Sequence, residues 1–311
     1  MRFVPATIAI LLFCINTGAL SATGEGTLTS LRSASTVRII VKQELAYRSP
    51  DQYPAVPIQN FELPFGKMAS DLFNAAGVRS VGPEATEFDA TLTIMAEGMA
   101  LGITYDLAYT KPWCLIGENL FTGASLRGEI TVEVPRMPIY SRSFIARRYP
   151  PLCAQLNLGF QSPRNAPFFD VSEWSGSFLP RLMEMIGNIY GASPLITVLE
   201  MGNGSMRRAA AQRLGDLGDP AAVEVLVGSL GDRDRLIRRH AIWALGKIGD
   251  RRAVIALIKK IRDSDPDVRW FTQWALQKIT RQDFGNDQDA WSRWWSEQEA
   301  GLTWGPAQNL P

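Results

Sequence analysis

The side chains that could do chemistry are few, and their spacing limits what chemistry that is. His240 is the one histidine of the chain. It stands between Arg239 and Ala241 with no partner pattern for general acid–base work, so it is read as structural. Glu97, Asp106 and Glu129 are available carboxylates, but their spacing gives no paired acid–base signature. Cys114 and Cys153 allow a single disulfide; the alternative is two separately buried thiols. Without CxxC spacing or a second histidine, no metal site is expected, and no cofactor motif is found. Three arginines, Arg207, Arg238 and Arg269, recur every 31 residues, a spacing that could build an anion-binding ladder. Arg239, Arg251 and Arg252 fall outside that column and form a candidate docking patch for an acidic partner. Trp243, Trp270 and Trp274 complete the candidate contact residues, because tryptophan is enriched at binding hot spots.

These residues sit in a self-similar stretch. Met206-Arg207-Arg208-Ala209-Ala210-Ala211-Gln212-Arg213-Leu214-Gly215 matches Ile237-Arg238-Arg239-His240-Ala241-Ile242-Trp243-Ala244-Leu245-Gly246, and both match Val268 to Gln277. The register continues from Leu217-Gly218-Asp219 to Ile248-Gly249-Asp250. A fixed period in this range means stacked supersecondary units. Each unit reads as two antiparallel helices, the first from Met206 to Gly215 and the second from Ala221 to Leu230. Asp219 is placed to cap the second helix and Pro220 suits its first position. Small residues at Ala210, Ala241, Ala244 and Ala275 let neighbouring helices approach. Residues 178–201 read as a degenerate leading repeat, with Ile186-Gly187-Asn188 under Leu217-Gly218-Asp219. Helical spacing puts the tryptophan column opposite the small-residue face, as a surface stripe. After the third unit, Trp291, Trp294 and Trp295 lie in a segment expected to form a closing helix, so that residues 281–311 make a Trp-rich cap and tail.

The pattern resembles the HEAT-repeat family, in the short bacterial form also seen in phycobilisome lyases. Val268-Arg269 with Ala275-Leu276, Ile237-Arg238 with Ala244-Leu245-Gly246, and Ile248-Gly249-Asp250 carry the resemblance over residues 178–280. It implies a right-handed α-solenoid used for protein–protein contact. It also implies a partner for each column arginine in the inter-repeat turn, with Asp234 or Asp265 well placed. It does not bring the lyase activity, because residues 1–177 lie outside the match.

The rest of the chain reads differently. Arg2, the apolar run Val4 to Ile15 and the small residues of Ala19-Leu20-Ser21 and Ala22-Thr23-Gly24 form an export signal over residues 1–22. Phe13 before Cys14 fits lipidation poorly. Residues 23–36 are a flexible lead-in, and residues 37–177 an α+β envelope domain. Its elements are a strand at Val37 to Val41, a helix from Phe65 to Ala76 stopped by Gly77, a strand near Val78 to Val81, and half-buried strands in Phe88 to Tyr105 and Gly123 to Phe144. Gly98 and Gly102 mark a bulge or bend. Residues 149–177 form a long connection.

Composition is ordinary for a globular protein, at 46% hydrophobic and 20% charged, so wholesale disorder is not expected. A formal charge of +1 argues against a protein built around nucleic acid. The charge is uneven, however: residues 206–262 carry 13 Lys/Arg against 6 Asp/Glu, whereas residues 263–311 carry 4 against 8. The reading is an exported noncatalytic scaffold binding another protein in the envelope. Two alternatives stand beside it: an envelope enzyme with its site in the α+β domain, and a polyanion-binding protein using the basic repeats.

Overall fold

The computed structural model describes residues 25–48, 56–57, 63–104, 119–148 and 171–303. The first part is a mixed sheet. Strand β1 (Thr36–Arg48) runs parallel to β3 (Arg79–Val81) on one edge and to β4 (Ala90–Thr104) on the other. The short β2 (Val56–Pro57) pairs antiparallel with the end of β1. Strands β5 (Asn119–Glu133) and β6 (Tyr140–Arg148) extend the sheet antiparallel, giving the order β2-β1-β4-β5-β6. The register slips at Leu101/Gly102, the bulge expected at Gly102, while Gly98 stays in regular pairing.

Alternation decides which face is covered. Val37 and Ile39, Leu92 and Ile94, Ile130 and Val132, and Tyr140 and Phe144 all turn to one side and are buried. Helix α2 (Phe65–Ala75) brings Phe65, Met68, Leu72 and Phe73 against that core. Helix α1 (Glu25–Leu31) occupies the segment read as flexible. Its Leu31 is fully buried, and the Tyr190 hydroxyl donates to the Leu31 carbonyl at 3.0 Å. A Ser/Thr/Gly-rich composition conceals one apolar side chain with a place to go.

Helix α3 (Val171–Tyr190) runs across the boundary expected at 177/178. It packs against β6 and α2 on one side and against the repeats on the other, and one contiguous core links the two parts. Phe178 is the joint. Its ring lies 4.2 Å from that of Phe65 and 5.4 Å from that of Phe144. Phe144 reaches this position by lying across Gly128 of β5, where an added Cβ would come within 2.2 Å of the Met95 carbonyl and 2.3 Å of the Phe144 ring. A glycine in a strand marks such a close approach.

The repeats follow as helix pairs: α3 with α4 (Ser193–Met201), α5 (Gly204–Leu217) with α6 (Val223–Ser229), α7 (Arg235–Ile248) with α8 (Val254–Ile258), and α9 (Pro266–Thr280) with α10 (Gln288–Thr303). The degenerate leading repeat is thus a real pair, but α3 continues past Gly187 and ends at Gly191. Asp219 and Asp250 cap short 3-10 turns that lead into α6 and α8, through bonds from the N–H groups of Ala221 and Arg252. The Trp-rich segment is the second helix of the last pair and packs against α8. Trp291 is fully buried and Trp295 nearly so, the cover that the final unit needs.

Because Phe178 belongs to both cores, the chain should unfold in one cooperative transition, followed together by a tryptophan signal from the repeats and the circular dichroism of the sheet. Phe178→Ala should lower stability by about 3–5 kcal/mol. Two separate wild-type transitions, with only one of them moved by the substitution, would show that the joint does not couple the parts.

Candidate functional site

The first helix of each unit begins with the same device. Asn203, Asp234 and Asp265 are N-caps whose side chains accept from the N–H groups of Met206, of Leu236, and of Asp267 and Val268. The arginine column pairs elsewhere than Asp234 or Asp265, which take Arg208 and Arg235 instead. Arg207 donates to the Leu199 carbonyl at 2.8 Å and to the carboxylate of Asp232. Arg238 donates to the Asp232 carbonyl at 2.9 Å and holds Asp263 through two bonds of 3.1 and 2.9 Å. Arg269 donates to the carbonyls of Asp263 and Ser264 at 2.9 and 3.2 Å. Arg238 and Arg269 tie the turn before their own helix, Arg207 ties the end of α4, and Arg207 and Arg238 also reach the turn after the second helix of their unit. Burial alone would raise the pKa of Asp263, but hydrogen bonds from Arg238 and the Asp265 N–H, with the charges of Arg238 and Lys260, outweigh it and hold the carboxyl below its ordinary value.

The neighbouring arginines are engaged as well. Arg239 pairs with Asp267 at 3.6 Å and lies 5.9 Å over the Phe271 ring. Arg252 is held by Asp250 at 2.7 Å and reaches Glu224 at 3.7 Å. Arg251 lies 5.2 Å over the Trp295 ring. Arg251 and Arg252 sit in the turn between α7 and α8, whereas Arg239 belongs with the α9 aromatics, so the expected contact residues do not form one patch.

The tryptophan column does not form a surface stripe. Trp243 and Trp274 are half-buried and packed against the core. A Cβ at Gly215 would meet the Trp243 ring at 2.8 Å, and one at Gly246 the Trp274 ring at 2.5 Å. Each tryptophan packs onto the glycine of the preceding first helix, which has no side chain to keep it out. Trp270 is different: it is 60% exposed, and its ring meets Phe271 edge-on at 4.8 Å. Phe271 in turn lies 6.4 Å from Trp274. The exposed aromatic feature is thus Trp270 with Phe271 and Arg239. Sequence reasoning missed Phe271, which has no phenyl or indole counterpart in the other units: His240 holds its place in the second and Ala209 in the first.

A groove of about 420 Å³ opens between α4 and α6, lined by Leu199, Glu200, Arg207, Glu224, Val225 and Gly228. Nothing in the repeat pattern signals it, because its residues come from three helices and differ from those one period on. Among the described residues, no group of His, Cys, Asp and Glu side chains could hold a metal ion. Glu97 is bound by Arg127 at 2.8 Å and Glu129 accepts from Ser141, so neither is matched with a second carboxylate. Asp106, Cys114, Cys153 and the export signal lie outside the described residues.

Residues 192–283 match the family model of HEAT repeats, and this segment is an array of that type. Two engineered or designed proteins are among the similar solved structures. One is a crystal structure of an engineered protein, 23% identical over 33% of this chain and 50% of that one, with a TM-score of 0.29. Another is a designed armadillo repeat protein in complex with the peptide (KR)4, 17% identical over 42% of this chain and 63% of that one, also with a TM-score of 0.29. The chain thus spans 50% and 63% of their lengths. No curated protein matches it.

Two outcomes follow from this geometry. Trp243→Ala should destabilise the array by about 2–4 kcal/mol, as loss of a packed aromatic does. Gly246→Ala should cost about 1–3 kcal/mol by overpacking. Denaturant melts of both variants check this, and wild-type stability in either would remove the inter-repeat role of the column.

His240 supplies a second test. Burial, then the charges of Arg239 and Arg208, push its pKa down to about 4 against an opposing pull from Asp234. The unfolded chain takes up the proton first, near the ordinary value of 6.5. Stability from this group is therefore complete above about pH 6.5 and is lost as pH falls toward about 4, by up to about 3 kcal/mol. Melts across that window should show the loss in the wild type and a flatter profile in His240→Gln. Equal slopes would mean that the imidazole does not control the transition.

Proposed function

We propose that this protein is an exported, noncatalytic adaptor that holds another protein in the cell envelope. The observation that supports this most directly is the array itself. HEAT and armadillo-like repeats are commonly protein-interaction scaffolds. Here the charged side chains that recur are spent on holding unit to unit, while the aromatic side chain that breaks the column, Trp270, faces solvent. Export is supported by Arg2, the apolar run Val4 to Ile15 and the small residues after it. No helix among the described residues is long and apolar enough to cross a membrane.

Trp270 with Arg239 is the contact surface under this reading. An aromatic anchor beside a guanidinium is a frequent hot-spot composition. Arg207, Arg208, Arg235, Arg238, Arg239, Arg252 and Lys260 are ion-paired within the array, whereas Arg233, Lys247, Arg251, Lys259 and Arg262 have no ion pair among the described residues and are the cations left for an acidic partner.

The test has two arms. The chain expressed with its own N-terminus should be recovered from the envelope fraction starting between Ala22 and Glu25; intact Met1 in that fraction would remove the export reading. The mature chain, used as bait on envelope extract, should retain a defined protein, and Trp270→Ser should weaken that retention by about 30-fold, the equivalent of a 2 kcal/mol hot spot. A partner held equally by Trp270→Ser would place the contact elsewhere, and no retained protein would remove the adaptor reading.

A further inference from the structure

Residues 251–262 carry five Lys/Arg and no Asp/Glu, whereas the stretch one 31-residue period earlier, 220–231, carries Glu224 and no Lys/Arg. The segment is one helical spiral. A 3-10 turn over Arg251–Ala253 leads into α8, and further turns follow in which the N–H groups of Lys260 and Ile261 reach back to the carbonyls of Leu257 and Ile258. Ala253, Val254, Leu257, Ile258 and Ile261 face the core and are buried. The opposite side is exposed, with Arg251, Ile255, Lys259 and Arg262 in sequence along it.

The five cations are not equivalent. Two serve the array: Arg252 is bound by Asp250 at 2.7 Å, and Lys260 lies 3.7 Å from Asp263. Arg251, Lys259 and Arg262 have no ion pair among the described residues. Lys259 and Arg262 stand three apart, where like charges on a helix repel. Arg251 is held by the Trp295 ring, 5.2 Å from its guanidinium, and not by an anion. Between the cations stands Ile255, 45% exposed. Arg251, Ile255 and Lys259 are four residues apart, so each step along the spiral is about 6 Å and the two cations are about 12 Å apart. The face thus carries uncompensated positive charge laid out on either side of an apolar side chain.

A matching occupant brings two carboxylates and an apolar side chain at the same spacing. In an extended chain, residues i, i+2 and i+4 point to one side at steps of about 6.5 Å. We propose that the outward face of α8 binds an extended acidic segment of a partner protein, in the order acid, any, apolar, any, acid. The apolar side chain rests on Ile255 and the carboxylates meet Arg251 and Lys259, with Arg262 adding charge beyond. The proposal rests on the adaptor reading and names the chemistry of what is held. This face belongs to a second helix, whereas Trp270 stands on a first helix, so the two surfaces are separate.

The probe is a fluorescein-labelled nonapeptide with the central sequence Glu-Thr-Leu-Thr-Glu, followed by anisotropy on the full mature chain. A permuted control, Thr-Glu-Leu-Glu-Thr, keeps composition and charge but turns both carboxylates away from the leucine side. Wild type should bind the first about tenfold more tightly than the second. Lys259→Glu and Ile255→Ser should each weaken binding of the first peptide by about tenfold. Lys278→Glu, the same charge change at an exposed lysine of α9, should leave it unchanged. All three side chains are exposed, so the melts should overlay that of wild type; should Lys259→Glu melt early, Ile255→Ser decides. Equal binding of the two peptides, or equal loss in Lys259→Glu and Lys278→Glu, would mean attraction by net charge alone and would overturn the proposal, as would no binding of the first peptide. Bait experiments separate the two readings: an envelope protein retained equally by wild type and Lys259→Glu removes this face and leaves the adaptor standing, whereas no retained protein at all removes both.

Discussion

The array depends on a guanidinium that belongs to two turns at once. An isolated helix pair of this length cannot bury its apolar stripe, so it needs its neighbours in a fixed register. Apolar packing alone tolerates sliding. Arg238 does not, because it is bonded to the backbone of the turn before α7 and to Asp263 in the turn after α8. Arg207 makes the same link one unit earlier. A buried ion pair is weak evidence of net stabilisation, since desolvation offsets most of the attraction. Its directional demands are what matter here: Asp263 is 6% exposed and satisfied only when both turns are in place.

The opposite end of the array is covered by a different device. A solenoid must hide its first apolar face, and here the sheet part does that work. Helix α2 packs against α4, and Phe65, Phe144 and Phe178 meet in a single aromatic cluster. The α+β part is thus the N-terminal cover of the repeats as well as a unit with its own sheet. The joint is a cluster of buried apolar rings, which makes relative motion of the two parts costly.

Much of this was legible where local rules act. The 31-residue period gave the helix pairs, Asp219 the cap, Gly102 the bulge and alternation the buried sheet face. What escaped depends on contacts between elements. The column tryptophans were placed outward because one helix read alone has a small-residue face and a large-residue face. In a stack the large face of one helix meets the small face of the one before it, so Trp243 and Trp274 turn to Gly215 and Gly246. Asp232 rather than Asp234 takes Arg207, while Asp234 caps its own helix and lies 3.9 Å from Arg208. The groove was invisible for a related reason: periodicity highlights what repeats, and the groove exists through what fails to repeat.

The end of the array shows what changes where the repeat fails. In the column of Arg208 and Arg239, each side chain reaches a carboxylate at the start of the next first helix, Asp234 at 3.9 Å and Asp267 at 3.6 Å. The third member of that column, Trp270, belongs to the last first helix. The glycine that would receive a further tryptophan is replaced by Gln277, and the chain after α9 instead folds back, with Gln273 donating to Asn286 and Phe284 packing edge-on against Trp291 at 4.9 Å. Trp270 stands there with its ring exposed. Stacking thus stops at the place where the column changes chemistry.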